Sequence, residues 1–286
     1  MTVERDAAIE KAHVLVEALP FIRRFHGDTI VVKLGGSSLE ESKHSVLEDL
    51  VLLRYVGMNP VVVHGGGKEI SAWQERVGLE SRFVDGLRVT DEKSMEVVKM
   101  VLTGKINPEL VAMINGLGGQ AVGMSGEDGP SILVRPMAQQ NGEDLGLVGE
   151  VAQVNTEPIT ALLERNYIPV VASIGLGYDG QSYNVNADTV AAELAVSLRA
   201  RKLILLTDVE GVRDAAGQLI SEIVAHDVND RIADGTVSGG MIPKVRACVR
   251  ALSGVEKAHI IDGRVPHALL LELLTNEGIG TMILPG

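Results

Sequence analysis

The sequence predicts an α/β protein in which a mainly parallel sheet lies between two helical layers. Two observations carry this. Short, continuously apolar runs such as Ile30–Leu34, Pro60–Val63, Ile168–Ile174 and Leu203–Leu206 alternate with segments of helical spacing. That is the pattern of strands buried on both faces. The runs also end in glycine or polar clusters, and open α/β sheets bind ligands at the carboxyl ends of their strands.

The elements follow in order. In residues 4–19, Ile9, Ala12, Val16 and Leu19 fall near one helical face, and Pro20 is expected to stop the helix. That face either packs within the chain or contacts another copy. Ile30–Leu34 is the first strand, and Lys43–Tyr55 carries helical spacing. Pro60–Val63 is a second strand, ending at His64-Gly-Gly-Gly67, and Glu69–Val77 is helical. Ser94–Gly116 holds one or two helices, broken around Asn107-Pro108. Ala121–Met124 and Ser131–Val134 read as strands, and the alternation in Leu145–Val154 suits a hairpin. Ile168–Ile174 is one buried strand, Asp188–Arg201 a helix rich in Ala and Leu, and Leu203–Leu206 a strand. Pro243–Leu252 is helical, Ala258–Ile261 a strand, His267–Leu274 the last helix and Thr281–Leu284 the last strand.

A chain of 286 residues suffices for one large domain or two lobes. Aromatics make up 3% and the net charge is −12, which together argue against a base-stacking nucleic-acid platform. A nucleotide then has to be held by local donors. The single Cys248 rules out an internal disulfide, fits a reducing cytoplasm and reads as a packed small residue. The charged start Met1-Thr-Val-Glu-Arg-Asp6 has no apolar stretch of the signal-peptide kind, and no run approaches the ~20 residues that span a membrane.

Two lysines stand beside glycine-rich loops. Lys33 ends an apolar strand before Gly35 and Gly36; Lys244 follows Ser238-Gly-Gly-Met241 at the start of a helix. Glycine loops expose N–H groups to an anion, and lysine adds a compact positive charge. One such unit is a weak phosphate signal; two suggest one polyanion held from both sides. Further clusters follow strands at His64–Gly67, Gly175–Gly177, Thr207-Asp208 and Asp262-Gly-Arg264. Taken singly, each serves equally well as a plain turn.

Gly175-Leu-Gly-Tyr-Asp-Gly180 fits a dinucleotide fingerprint in letters only. The segment after its third glycine is polar and strand-like, where a helix should open. There is no G-x-x-x-x-G-K-[ST] loop and no H-x-x-x-H or C-x-x-C pair, so no dedicated metal site is expected. Arg88, in Gly86-Leu-Arg-Val-Thr-Asp91, is placed either for a bidentate carboxylate or for a surface ion pair. Asn184-Val-Asn-Ala-Asp188 either caps the helix that follows or belongs to the site.

Together these segments resemble the amino-acid kinase family over residues 10–286. The resemblance rests on Lys33-Leu-Gly-Gly36, Val63-His-Gly-Gly-Gly67, Gly86-Leu-Arg-Val-Thr-Asp91, Gly123-Met-Ser-Gly-Glu-Asp128, Tyr183-Asn-Val-Asn-Ala-Asp188, Lys202-Leu-Ile-Leu-Leu-Thr-Asp208, Gly239-Gly-Met-Ile-Pro-Lys244 and Ile261-Asp-Gly-Arg264. The Gly-Leu-Arg-Val-Thr and Asn-Val-Asn-Ala-Asp segments are similar to those of the branch acting on N-acetyl-L-glutamate. The resemblance implies a three-layer αβα sandwich in two lobes: an N-terminal helix over 1–28, an acetylglutamate-binding lobe over 29–178 and an ATP-binding lobe over 179–286. The implied reaction is ATP-dependent phosphorylation of the γ-carboxylate of N-acetyl-L-glutamate in arginine biosynthesis, with Mg²⁺ carried on ATP. Other substrates used in the family are glutamate, carbamate, aspartate and nucleoside monophosphates.

Residue by residue, the resemblance implies that Lys33 and Lys244 neutralise the phosphoryl group and that Asp188 orients both. It gives acetylglutamate to Gly66, Gly67, Arg88 and Asn184, and ATP to Gly35, Gly36, Thr207, Asp208, Gly211 and Met241. Glu17-Ala-Leu-Pro-Phe-Ile-Arg-Arg-Phe25 and Glu277-Gly-Ile-Gly-Thr281 resemble the arginine-inhibited branch. They imply L-arginine as inhibitor, a homohexamer built as a trimer of dimers, and a PII-type signalling protein as a possible partner. The implied effector residues are Lys202, His267, Glu277 and Gly280. No nucleic acid and no membrane is implied as a partner.

Overall fold

The computed structural model describes residues 2–35, 39–137 and 142–286. Helix α1 (Thr2–Phe25) leads into β1 (Thr29–Leu34), α2 (Leu39–Tyr55), β2 (Asn59–His64) and α3 (Gly67–Arg76). A small hairpin, β3 (Phe83–Val84) and β4 (Leu87–Arg88), turns at Asp85 and Gly86, which both adopt positive φ. Helix α4 (Glu92–Val101) passes through one π turn (Leu102–Ile106) into α5 (Asn107–Gly116). Then come β5 (Ala121–Ser125), β6 (Ile132–Pro136), β7 (Gly149–Val154), α6 (Glu157–Glu164), β8 (Ile168–Ala172), β9 (Ile174–Gly177), β10 (Ser182–Asn184) and α7 (Ala187–Ser197). The chain ends with β11 (Lys202–Thr207), β12 (Glu222–Val224), α8 (Val228–Ala233), α9 (Met241–Ala251), β13 (Lys257–Asp262), α10 (Ala268–Leu274) and β14 (Thr281–Leu284).

Eight strands form one sheet in the order β12-β14-β13-β11-β1-β2-β8-β5. From β13 to β5 every pairing is parallel; β14 runs antiparallel to β13. Alternate residues of the central strands point to opposite faces. Val31, Val61, Val63, Leu203 and Leu205 pack with Val190, Ala191, Val245 and Cys248 of α7 and α9. Ile30, Val32, Val62, Ile204 and Leu206 pack with Leu47, Leu50, Ile114, Leu269 and Leu273 of α2, α5 and α10. These are the expected helical layers on both faces. Because β1 pairs with β11, the sheet runs unbroken past residues 178 and 179, where the resemblance divides the chain. Among the described residues no helix is long and apolar enough to cross a membrane.

Several expectations are corrected. Pro20 does not stop α1, which runs on to Phe25. Phe25 is buried and Phe21 and Ile22 are half-buried, so packing holds the last turn where the proline withdraws one hydrogen bond. The break in Ser94–Gly116 lies not at Asn107-Pro108 but in the π turn before it. Pro108 has no N–H for the carbonyl of Gly104 and its ring crowds that carbonyl; the wider π turn holds Gly104 and relieves both problems. Leu145–Val154 is not a hairpin on itself, because β7 pairs with β6 instead.

Ile168–Ile174 is two strands, not one. The chain leaves the large sheet at Ser173 and enters a second sheet of order β10-β9-β6-β7. Gly175–Gly177 therefore lies within β9, not in a loop after a strand, and Gly180 turns the antiparallel β9–β10 pair. That geometry removes the dinucleotide reading. Cys248 is fully buried in α9, and burial pushes its thiol pKa up, as a packed small residue requires.

Gly175 is fixed by close approach. A Cβ there would lie 2.3 Å from Val134 Cγ1 and 3.3 Å from the Ile132 carbonyl. Gly175→Ala should cost about 1–3 kcal/mol, the usual range for overpacking. In urea denaturation it should lower the midpoint and leave the slope unchanged; an unshifted midpoint would contradict this contact.

Candidate active site

The site gathers side chains from the carboxyl end of β1 in the large sheet and from the first turns of α7 and α9. Asn186 caps α7, its side chain accepting from the N–H groups of Asp188 (2.8 Å) and Thr189 (3.2 Å). That cap puts the Asp188 carboxylate in the first helical turn, where the helix dipole favours a negative charge. Lys33 projects from β1, with Val63 and Leu205 beside it in register. Lys244 projects from the first turn of α9, after Gly239 at positive φ. The Nζ of Lys33 lies 2.8 Å from Asp188 Oδ1, and Lys244 Nζ donates to Asp188 Oδ2 at 2.9 Å.

One carboxylate thus bridges two ammonium groups. Burial pushes the Asp188 carboxyl up, but Lys33 and Lys244 outweigh it and hold its pKa below the ordinary value. Burial lowers the pKa of Lys33; Asp188 opposes that shift and Lys244 adds to it. With both lysines charged, the cluster carries one net positive charge, suited to a phosphoryl group.

Lys33 and Asp188 line a cavity of about 210 Å³ together with Gly66, Gly67, Arg88 and Asn184. Arg88 is 6% exposed. Its guanidinium donates to the Gly67 carbonyl (2.7 Å), Ser71 Oγ (2.8 Å), Ser81 Oγ (2.9 Å) and Gln74 Oε1. The Phe83 ring lies 4.6 Å from it. These acceptors are neutral, so they fix the fork without cancelling its charge. Asn184 Nδ2 donates to Thr90 Oγ1 (3.2 Å), which in turn donates to the Arg88 carbonyl (2.9 Å). A Cβ at Gly66 would stand 2.3 Å from Ile106 Cδ1 and 2.8 Å from Leu102 Cδ2, so both side chains would have to shift to admit one. Gly67 opens α3, whose first N–H groups have no partner within the helix.

The remaining expected nucleotide residues lie along the same sheet edge. Gly35 is buried at the end of β1; Gly36, Ser37 and Ser38 fall outside the described residues. Thr207 ends β11 and its carbonyl accepts from Gly263 N–H (2.8 Å) after β13. Asp208 and Gly211 follow in the next loop, and Met241 begins α9 three residues before Lys244.

A second cavity, of about 420 Å³, lies near the amino ends of β11 and β13. Its walls include Phe21 and Phe25 of α1, Lys202, His259, Glu272 of α10 and Gly280. Lys202 Nζ is 2.8 Å and His259 Nδ1 is 2.9 Å from Glu272 Oε1. Lys202 and Gly280 are therefore brought together, but His267 is not. His267 heads α10 and sets Nδ1 2.6 Å from Asp49 Oδ1 on α2. Glu277 is exposed in the segment that walls this cavity. His259 and Glu272 escaped the sequence reading. Their signal was a single polar residue inside an apolar run, Ala258-His-Ile-Ile261 and Leu269-Leu-Leu-Glu-Leu-Leu274.

Residues 28–262 match the model of the amino acid kinase family. The chain is 53% identical over 281 residues to an acetylglutamate kinase of Caldanaerobacter subterraneus subsp. tengcongensis, covering 96% of this chain and 93% of that one. Among solved structures it is similar to N-acetylglutamate synthase from Neisseria gonorrhoeae complexed with coenzyme A and N-acetyl-glutamate. There the identity is 28% and the TM-score 0.85, over 96% of this chain; the chain spans 63% of the synthase. Giardia carbamate kinase shares the fold, with TM-score 0.65 and 17% identity over 90% of this chain and 99% of that one.

Asp188→Asn should destabilise the protein by about 3–5 kcal/mol near neutral pH, the usual cost of leaving buried charge without its partner. The carboxylate's pKa is depressed in the folded state, so its contribution is present above the unfolded value near ~3.9. It is lost as pH falls through the folded value. Urea titrations of both proteins should show the gap narrowing below about pH 4; a constant gap would remove Asp188 as the counter-charge.

Proposed function

The chain belongs to the amino acid kinase family, and we propose that it transfers the γ-phosphoryl group of ATP to the γ-carboxylate of N-acetyl-L-glutamate. The products are N-acetyl-L-glutamyl 5-phosphate and ADP, as arginine biosynthesis requires. The observation that carries this reading is one cavity holding both the Lys33–Asp188 pair and a buried Arg88 with neutral hydrogen-bond acceptors. Arg88 takes the α-carboxylate and Asn184 helps to orient the substrate. The γ-carboxylate then points at the lysines. Residues 29–178 supply most of this surface, and residues 179–286 supply the nucleotide side through Thr207, Asp208, Gly211 and Met241.

A carboxylate with an ordinary pKa near ~4.3 is already ionised at neutral pH, so no general base is needed. One carboxylate oxygen attacks the γ-phosphorus, the bond to the ADP oxygen breaks, and ADP leaves with that electron pair. The barrier lies in bringing two anions together, which makes positioning and charge neutralisation the catalytic work. Lys33, Lys244 and the N–H groups of Gly35, Gly66 and Gly67 provide it. Mg²⁺ enters on the ATP phosphates and lessens their charge. Among the described residues no group of three or more His, Cys, Asp or Glu is placed to hold it, so phosphates and water are its natural ligands.

The cavity between α1 and α10 is assigned to L-arginine. Glu272 and Lys202, paired with each other at 2.8 Å on the cavity wall, would exchange that pairing for the guanidinium and the carboxylate of L-arginine. Ile9, Val16 and Leu19, near one face of α1, are 47%, 65% and 48% exposed, an apolar stripe suited to building a hexamer.

A coupled assay of ADP release should show turnover that depends on N-acetyl-L-glutamate. Lys33→Ala and Lys244→Ala should each lower kcat at least ~10²-fold, the scale of losing one transition-state donor. Arg88→Ala should raise the KM for acetylglutamate. Near-normal kcat in a folded lysine variant would sink the assignment. Saturating L-arginine should weaken acetylglutamate binding. Glu272→Gln should raise the arginine concentration for half-inhibition about tenfold, as expected for one hydrogen bond to a charged group; no arginine effect on the parent enzyme would refute this site.

A further inference from the structure

His64 is a buried titratable group to which the reaction above gives no role. It ends β2, is 2% exposed, and immediately precedes Gly65–Gly67. Its Nδ1–H donates to the Gly65 carbonyl at 3.0 Å. Its Nε2 accepts from the Asn107 amide, also at 3.0 Å. The same Asn107 Nδ2 donates to the Val170 carbonyl at 2.9 Å. A carbonyl accepts only, so each end of this chain of bonds has one solution: nitrogen of Asn107 toward Val170, and a proton on His64 Nδ1. On the opposite side, a Cβ at Gly123 would lie 1.8 Å from the outer end of the Asn107 amide, so this glycine leaves the space the amide occupies.

The arrangement admits only the neutral ring. A second proton, on Nε2, would face an N–H of Asn107. Leu34 and Ala172 flank His64 in the sheet, and Lys43 of α2 is the charged group whose field reaches it. Burial, against the pull of the Gly65 carbonyl, lowers its pKa to about 4. The π turn completes the clamp, with Ile106 and Leu102 pressed against the bare Cα of Gly66. His64 grips the glycine segment from the strand side, and the π turn grips it from the helix side.

We propose that His64, held as its Nδ1–H tautomer by Asn107, is a positioning residue that aims the Gly65–Gly67 main chain into the cavity it shares with Lys33 and Arg88. The bond to the Gly65 carbonyl sets the rotation of the following peptide units. Those units carry the N–H groups offered to the substrate. The inference rests on the phosphotransfer reading for its kinetic consequence, but the tautomer itself does not.

Two substitutions separate the bonds. In His64→Asn, the amide nitrogen occupies the place of Nδ1 and keeps the bond to Gly65; in His64→Gln, it reaches the place of Nε2 and loses that bond. His64→Asn should keep kcat/KM for acetylglutamate within about threefold of the parent, while folded His64→Gln should lose at least ~10-fold. Asn107→Asp sets a carboxylate against the Nε2 lone pair, and protonation of either group restores a hydrogen between them. Its kcat/KM should therefore rise relative to the parent as pH falls from about 8 to 6. Nitrogen-15 NMR of the parent should show His64 protonated at Nδ1 alone. A proton on Nε2, or equal losses in the Asn and Gln variants, would overturn the proposal. Absence of acetylglutamate-dependent turnover in the parent enzyme would instead count against the reaction, and the NMR result would still judge the tautomer.

Discussion

Everything at the carboxyl side of the sheet is organised by the need to keep Lys33 charged in a buried strand. A lysine at 7% exposure in the middle of an eight-stranded sheet is disfavoured as a cation unless an anion is close. Asp188 meets that need, and three further features exist to hold Asp188. Asn186 caps its helix, the helix dipole adds favourable potential, and Lys244 occupies the second oxygen. The bridge joins β1 to α7 and α9, which both lie more than half the chain away from it. Packing between α7 and α9 on one face of the sheet is therefore coupled to the electrostatics of the site.

The Arg88 cavity lies at the carboxyl end of β1, and the Glu272 cavity near the amino ends of β11 and β13. Lys202 begins β11 and Thr207 ends it, a six-residue span of about 17 Å at ~3.3 Å per residue. A second route runs through α10. Glu272 on α10 reaches the distal cavity, while His267 at its head is tied to Asp49 of α2, the helix that follows the Lys33 strand. Asp49 is fully buried and burial raises its pKa to about 6, so the tie to His267 and to the Leu269 N–H is what holds its charge. A third route is shorter: Phe25 walls the distal cavity, and the chain runs from it directly into β1, which carries Lys33.

How much was legible in the sequence follows from which forces act locally. The parallel sheet was legible, because strands buried on both faces leave unbroken apolar runs. Lys33, Lys244 and Asp188 were legible, because each lies beside a glycine loop or a helix start. Pro20 misled, because a proline inside a helix loses one hydrogen bond and crowds one carbonyl, about 3 kcal/mol, while the burial of Phe25 beyond it is a tertiary gain invisible in sequence. The π turn was hidden for the reverse reason: its cause, Pro108, was seen, but relief came four residues upstream at Gly104. Ser173 gave no sign that the chain changes sheets, since the residues on both sides of it are equally apolar. His259 and Glu272 stand thirteen positions apart in the sequence, and only the fold makes them a pair.

The neutral surroundings of Arg88 carry the remaining argument about selectivity. Had a carboxylate of the chain paired with that guanidinium, its charge would be spent before a ligand arrived. Two hydroxyls, an amide and a main-chain carbonyl instead hold the fork in place while leaving its charge unanswered. Burial lowers the pKa of Arg88, because a desolvated cation is disfavoured. A ligand that brings an anion to that point relieves the strain. A ligand without one fills the cavity and leaves the charge both desolvated and unpaired, the costlier outcome. On the proposed reading, discrimination among small carboxylates would arise from what the protein withholds from Arg88 as much as from what Arg88 offers.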